Sequence, residues 1–315
     1  MIMKKYILTA ILCAGSAMLA RAEAPDSIQP SPKPVEIAVG SAIGLATNGA
    51  LTEVLKCGVH EMRPDRSAHN SFPSRHSSWA FTASTLASNY LYRHSPWYSL
   101  GAQLIATGVG AQRIMARRHY GSDVIAGSVL GMASAEFGTF VARKIFGRGS
   151  GLSFYDVEND FRTSVAMTTG GAWWLDSPAD ADLCAAYTAA VAVVVPATDV
   201  WGVSASVKSI FAPVKSAEGV YPLGSAGISA GGVAHVRLPL PALALEPKAE
   251  IGGAWLRSTK GWHHSRCGFT AEASCTLSWR LTEHFATAAT AGFGMITVPR
   301  AMASFNVSIS SVALF

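Results

Sequence analysis

The stretch 270–281, TAEASCTLSWRL, alternates without a break. Ala271, Ala273, Cys275, Leu277, Trp279 and Leu281 fall on one face at a period of two. Thr270, Glu272, Ser274, Thr276, Ser278 and Arg280 fall on the other. Successive strand side chains point to opposite faces, so this stretch predicts a strand with one apolar and one polar side. The same period recurs outward from it. In the last segment Phe305, Val307, Ile309 and Phe315 oppose Ser304, Asn306, Ser308 and Ser310. Thr163, Val165, Met167 and Trp173 share one face of an earlier segment.

About eight such segments fit between residues 160 and 315, each near the length needed to cross a bilayer on a tilt. An even number of strands, apolar on one face and small or polar on the other, predicts a closed antiparallel barrel. A soluble β-sandwich also has alternating strands. Three features favour the membrane barrel: an export signal, a face of small polar residues suited to a narrow lumen, and the terminal Phe315. An aromatic end after an alternating strand resembles the C-terminal signal of bacterial outer-membrane barrels.

Upstream the period is helical. The joint is GRGSG at 147–151, a flexible composition. Before it, helices are expected near 36–60, 75–93, 97–113 and 119–146, rich in Ala, Gly, Leu and Val. None offers a clean run of 18 apolar residues, since Glu53, Asp123 and Glu136 interrupt them, so none is expected to span a membrane. They read as core helices of a small bundle resting on a membrane. The extreme N-terminus, MIMKKYILTAILCAGSAMLARA, has Lys4 and Lys5, an apolar run and Ala20-Arg21-Ala22. That is the order of a secretory signal, with cleavage expected after Ala22. Leu12 is too large for a lipoprotein signal at Cys13. The expected organisation is an α + β two-domain chain. A signal peptide (1–22) precedes an all-α bundle (23–146), a linker (147–159) and an antiparallel β-barrel of about eight strands (160–315).

Half of the 315 residues are hydrophobic, 14% are charged, and the formal net charge is +5. That is too apolar for a disordered chain and too charge-poor for a typical cytosolic enzyme. The basic balance suits an acidic substrate or an anionic membrane face, and nothing calls for nucleic acid or an obligate protein partner. Cys57, Cys184, Cys267 and Cys275 form no C-x-x-C pair, so no zinc site is expected, and disulfide connectivity is not legible. His263-His264 reads as a surface loop.

Three motifs within the helical half carry chemistry. The first is Lys56, six residues, then Arg63-Pro64. Residues seven apart share a helix face, and Pro64 places a boundary at Arg63. The second is Pro73-Ser74-Arg75-His76. Ser74 is a natural N-cap, and the free amides after it make a ready anion site. The third is Arg113, five residues, His119, three residues, Asp123. At i, i+4 the carboxylate is expected to bond one imidazole nitrogen and leave the other as a nucleophile. Taken together, cations, a helix N-terminus and two histidines form a kit for phosphoryl transfer.

The order and spacing closely resemble the type 2 phosphatidic acid phosphatase (PAP2) family, related to the vanadium haloperoxidases. Its signature runs Lys-x6-Arg-Pro, Pro-Ser-Gly-His, then Ser-Arg-x5-His-x3-Asp, and residues 50–135 carry all but two of its fixed positions. Arg75 stands for the glycine and Gln112 for the serine. There is also room for one helix before the first motif where integral-membrane members have two. The resemblance implies that His119 attacks phosphorus, Asp123 orients it, and His76 protonates the leaving oxygen. It implies that Lys56, Arg63, Ser74, Arg75 and Arg113 hold the phosphate, with no metal and no cofactor. The expected substrate is a phosphorylated lipid, with soluble esters, or a vestigial domain on a structural barrel, as the alternatives. The barrel is expected in the outer membrane, with the helical domain hanging beneath it in the periplasm.

Overall fold

The computed structural model describes residues 32–91, 94–147, 160–175, 182–183, 185–216, 219–240, 242–258, 266–281, 283–297 and 301–315. The expected signal peptide, Cys13, Cys184, His263-His264 and nearly all of the linker lie outside the described residues.

Four helices come first: α1 (Pro34–Gly58), α2 (Arg75–Leu91), α3 (Pro96–Met115) and α4 (Gly121–Ile145). Proline opens α1 and α3, where its missing N–H costs nothing. Ser95 caps α3 by accepting a hydrogen bond from the Trp97 amide. The fourth helix begins at Gly121, two residues later than the sequence predicts, which leaves His119 outside it. Helices α1 and α4 are long and apolar enough to cross a membrane by length and composition, contrary to the sequence expectation. The interrupting charges sit near helix ends, apart from Glu136, so they do not break the apolar middles. A Cβ on Gly138 of α4 would collide with the α1 backbone at Gly40 and Gly44, and so close an approach requires glycine.

Ten strands follow: β1 (Ser164–Trp174), β2 (Asp182–Leu183), β3 (Ala186–Pro196), β4 (Trp201–Ser216), β5 (Gly219–Ala234), β6 (Val236–Arg237), β7 (Leu243–Ser258), β8 (Arg266–Arg280), β9 (Phe285–Ile296) and β10 (Met302–Leu314). Strands β2 and β6 are two-residue additions to β4 and β7. The eight long strands form an antiparallel ring, β1-β3-β4-β5-β7-β8-β9-β10, closed by β10 on β1 from Ser164↔Leu314 to Trp174↔Ser304. Closure removes every edge, as a barrel in lipid requires.

The alternation read from the sequence sorts as predicted. Small and polar positions face the lumen, where charges meet charges. Lys208 pairs with Glu272 at 2.6 Å, and Lys248 with Glu250 at 3.1 Å. Ser206 and Ser229 also donate to Glu250. Apolar positions face outward, among them Ile251 (75% exposed), Phe269 (79%) and Ile228 (69%).

The helical half does not hang beneath the barrel. It lies against the outer wall. Ile114 of α3 and Val124, Ile125 and Val129 of α4 pack on Tyr187 of β3, with Trp173, Phe211 and Val307 around them. Lower down, Leu100 of α3 meets Met167 and Ala313. Thr107 and Thr169 share a hydrogen bond at 2.6 Å, and the Trp97 ring lies 5.5 Å from that of Phe315. A Cβ on Gly121 would strike the Ala185 carbonyl. The sequence expectation failed because outward apolar residues on a strand look the same whether lipid or a helix covers them.

Candidate active site

All three motifs meet at one end of the bundle, formed by the last turn of α1, the first turns of α2 and α4, and the last turn of α3. Backbone bonds tie the intervening loops together. Asp65 N donates to Arg117 O, Ser71 N to Glu61 O, and Ser74 N to Asp123 O. An ion pair between Arg118 and Asp65 at 2.9 Å adds to them.

His119 is buried, and its Nδ1 lies 2.8 Å from the Ser71 carbonyl oxygen. A carbonyl only accepts, so Nδ1 carries the proton and Nε2 keeps its lone pair. The expected direct bond to Asp123 is absent: the carboxylate stands 3.8 Å from Nδ1. His119 precedes the helix, so the i, i+4 geometry does not apply. Asp123 instead accepts from the Ser71 hydroxyl at 2.6 Å and from the Tyr120 amide at 2.9 Å, closing a capping box at the start of α4. Ser71 therefore touches both groups, one through its carbonyl and one through its hydroxyl. The sequence reading missed it, because nothing in its spacing marks it.

His76 stands on the exposed side of the first turn of α2. Its pKa is lowered, first by burial and then by Arg113, His119, Arg63 and Arg75. Lys56 is also held below the ordinary lysine range, by burial and then by Arg75 and Arg63, while Asp123 and Glu53 oppose the shift. These mutual effects place Lys56, Arg63, Arg75, His76, Arg113 and His119 in one electrostatic cluster, with Asp123 and Glu53 beside it. Like charges this close raise the field on any anion that enters.

Individual placements refine the motif reading. Lys56 donates to the Asn70 carbonyl at 2.8 Å. Arg63 lies five residues past the end of α1, so the two cations meet through the loop and not along a helix face. Its Nε is buried without a hydrogen-bond partner. Arg113 Nε donates to Gln112 Oε1 at 2.6 Å, so the residue that departs from the family serine holds the guanidinium. Ser74 is buried, and its Oγ accepts from the Ser77 amide and hydroxyl, as an N-cap does. Arg75 pairs with Glu53 at 2.6 Å, both half exposed. Glu53 precedes Lys56 by one helical turn, which is the signal that would have found it. The described residues contain no cluster of His, Cys, Asp and Glu suited to a metal ion.

The three motifs thus converge in order on one site. Residues 37–145 match the PAP2 superfamily. Over 116 residues the chain is 34% identical to a lipid A 1-phosphatase of Porphyromonas gingivalis strain ATCC 33277. The match covers 37% of this chain and 26% of that relative, so the chain spans about a quarter of its length. Similar solved structures cover the other half. Neisserial surface protein A overlaps 50% of this chain and 100% of its own at 8% identity, with a TM-score of 0.40. Ail of Yersinia pestis does so over 50% and 100% at 12% identity and 0.33. OprG of Pseudomonas aeruginosa does so over 50% and 98% at 11% identity and 0.32. The segment that matches the PAP2 superfamily is followed here by the closed barrel.

Proposed function

We propose that this protein is a lipid phosphate phosphatase that hydrolyses phosphomonoesters through a phosphohistidine. The observation that carries the reading is His119, with Nδ1 pinned to a carbonyl and Nε2 available, in one electrostatic cluster with His76, Arg63, Arg75 and Arg113. In this scheme Nε2 attacks phosphorus as the ester bond breaks. His76 gives its proton to the departing alkoxide, while Lys56, Arg63 and Arg113 balance the charge on the three remaining oxygens. Ser74 holds the start of α2, whose first amides point at the phosphate. Arg75 contributes its backbone N–H, since its side chain is engaged by Glu53. Asp123 acts through Ser71 and Tyr120 to hold His119. Water then attacks the N–P bond and releases phosphate.

The similarity to a lipid A phosphatase supports a lipid substrate. So does a barrel whose outward positions are apolar, as they are in barrels that span a bilayer. We place the protein, after export, in the outer membrane. Phosphate release by purified protein in detergent tests the function. A long-chain lipid phosphate should be cleaved faster than a short-chain ester, and a preference for the short ester would favour a broad acid phosphatase instead. His119→Ala should lose at least about 10³-fold in kcat. Full activity in that variant would sink the mechanism.

A further inference from the structure

We infer that the site takes its phosphate from the lipid leaflet at the barrel rim opposite the strand ends Ser164 and Leu314. The inference rests on the phosphatase reading for its chemistry, but not for its geometry.

The argument starts from direction. Strand β1 begins, and β10 ends, at one rim, paired through Ser164↔Leu314. At that rim Trp97 stacks near Phe315, and Leu100 packs on Met167 and Ala313. Helix α3 then climbs the wall. Its far end, Ile114, packs beside Tyr187 and Phe211, which belong to the other rim. From Trp97 to Arg113 the helix rises about 24 Å at 1.5 Å per residue, close to the thickness of a hydrocarbon core. Tyr120 continues the path, with the Lys215 ammonium 5.4 Å over its ring next to the β4–β5 turn. Every catalytic group therefore sits level with the rim away from the strand ends.

Charge follows the same axis. Residues 37–52, 77–91 and 96–112 contain no Asp, Glu, Lys or Arg. Glu53, Lys56, Arg75, Arg113 and Asp123 lie beyond them at the site end. Arg143 and Lys144 lie at the other end of α4, and Glu136 alone interrupts that helix. The outer faces between are apolar: Val54, Leu104, Ile105, Phe137 and Phe140 are exposed. This belt is continuous with the barrel's own band at Val191, Val193 and Val203. Exposed Trp97, Tyr98 and Trp201 form an aromatic girdle at the strand-end rim. One bilayer thus covers helices and strands together, and its acyl chains are the occupant of the exposed helical faces.

A barrel inserted from the periplasm keeps its strand ends on that side and sends its hairpins across. The site then opens toward the cell surface, and the substrate is a phosphorylated lipid of the outer leaflet. This replaces the periplasmic placement expected from domain order alone.

The native Cys57, exposed in the last turn of α1 beside Lys56, is the reporter. In a variant keeping Cys57 as its single cysteine, a membrane-impermeant maleimide should label intact cells. A cysteine placed instead at Asp199, in the exposed β3–β4 turn of the strand-end rim, should label only after the outer membrane is permeabilised. His69→Cys, in the exposed loop between α1 and α2, is a second reporter should the Cys57 variant fold poorly, and should behave as Cys57 does. Labelling of Cys57 and His69→Cys only after permeabilisation overturns the inference. The readout is independent of catalysis, so failure here leaves phosphate release untouched, and an inactive protein leaves the labelling result standing.

Discussion

The protein holds two polar clusters, and they are built in opposite ways. In the barrel lumen cations meet carboxylates, Lys208 with Glu272 and Lys248 with Glu250, while His235 lies 3.2 Å from Glu246. At the site end of the bundle, Lys56, Arg63 and Arg113 have no carboxylate ion pair among the described residues. Arg63 Nε is buried without a partner. The lumen cluster is neutralised from within and fills a narrow interior. The bundle cluster holds an excess of positive charge, which an arriving anion would offset. Equal burial of polar groups thus has two meanings, and the balance of charge decides between them.

The sharpest way to break this contrast is to remove one cation from each cluster. Arg113→Ala should lower kcat by about 10²–10³-fold, as loss of a donor aimed at developing charge does, with the barrel still heat-modifiable on gels. Lys208→Met should leave phosphate release unchanged but strand Glu272, costing about 2 kcal/mol in thermal unfolding. The double variant Lys208→Met/Glu272→Met should recover most of that loss. An activity defect in the lumen variants would end the division of labour.

Two smaller effects sharpen the bundle side. Ser71→Ala removes one hydrogen bond to Asp123 and keeps the carbonyl that holds His119, so kcat should fall about fivefold with KM unchanged. The smallest concerns pH. Neighbouring cations and burial depress the His76 pKa, so the acid form persists only below the ordinary histidine midpoint. If His76 is the acid, kcat/KM falls as pH rises through that lowered value. Arg75→Gly removes one of the depressing charges, and the midpoint should move up by a fraction of a pH unit. A midpoint that stays put would remove His76 from that role.

Much of this was legible in the chain. The two-residue period in 270–281 and in the last strand gave the barrel and the sense of its faces. Period arises from backbone pleat and needs no partner. The motif spacings picked out eight residues that the fold brings to one end of the bundle, because residues at a helix start or end are placed by local geometry. Local rules failed where the chain leaves the helix. His119 lies before α4, so its partner is Ser71 and not Asp123 directly. Arg75, which stands where the family has glycine, is paired by Glu53.

What the sequence determined by itself was the class of each half, since helical and strand periods follow from patterns within about 25 residues. Only the tertiary structure decided that the bundle stands beside the barrel. That outcome depends on Gly121 meeting Ala185 and on Tyr187 being buried among Ile114, Val124 and Ile125. An outward apolar residue carries no mark of whether lipid or another helix will cover it. Shape fit between distant segments settles the matter.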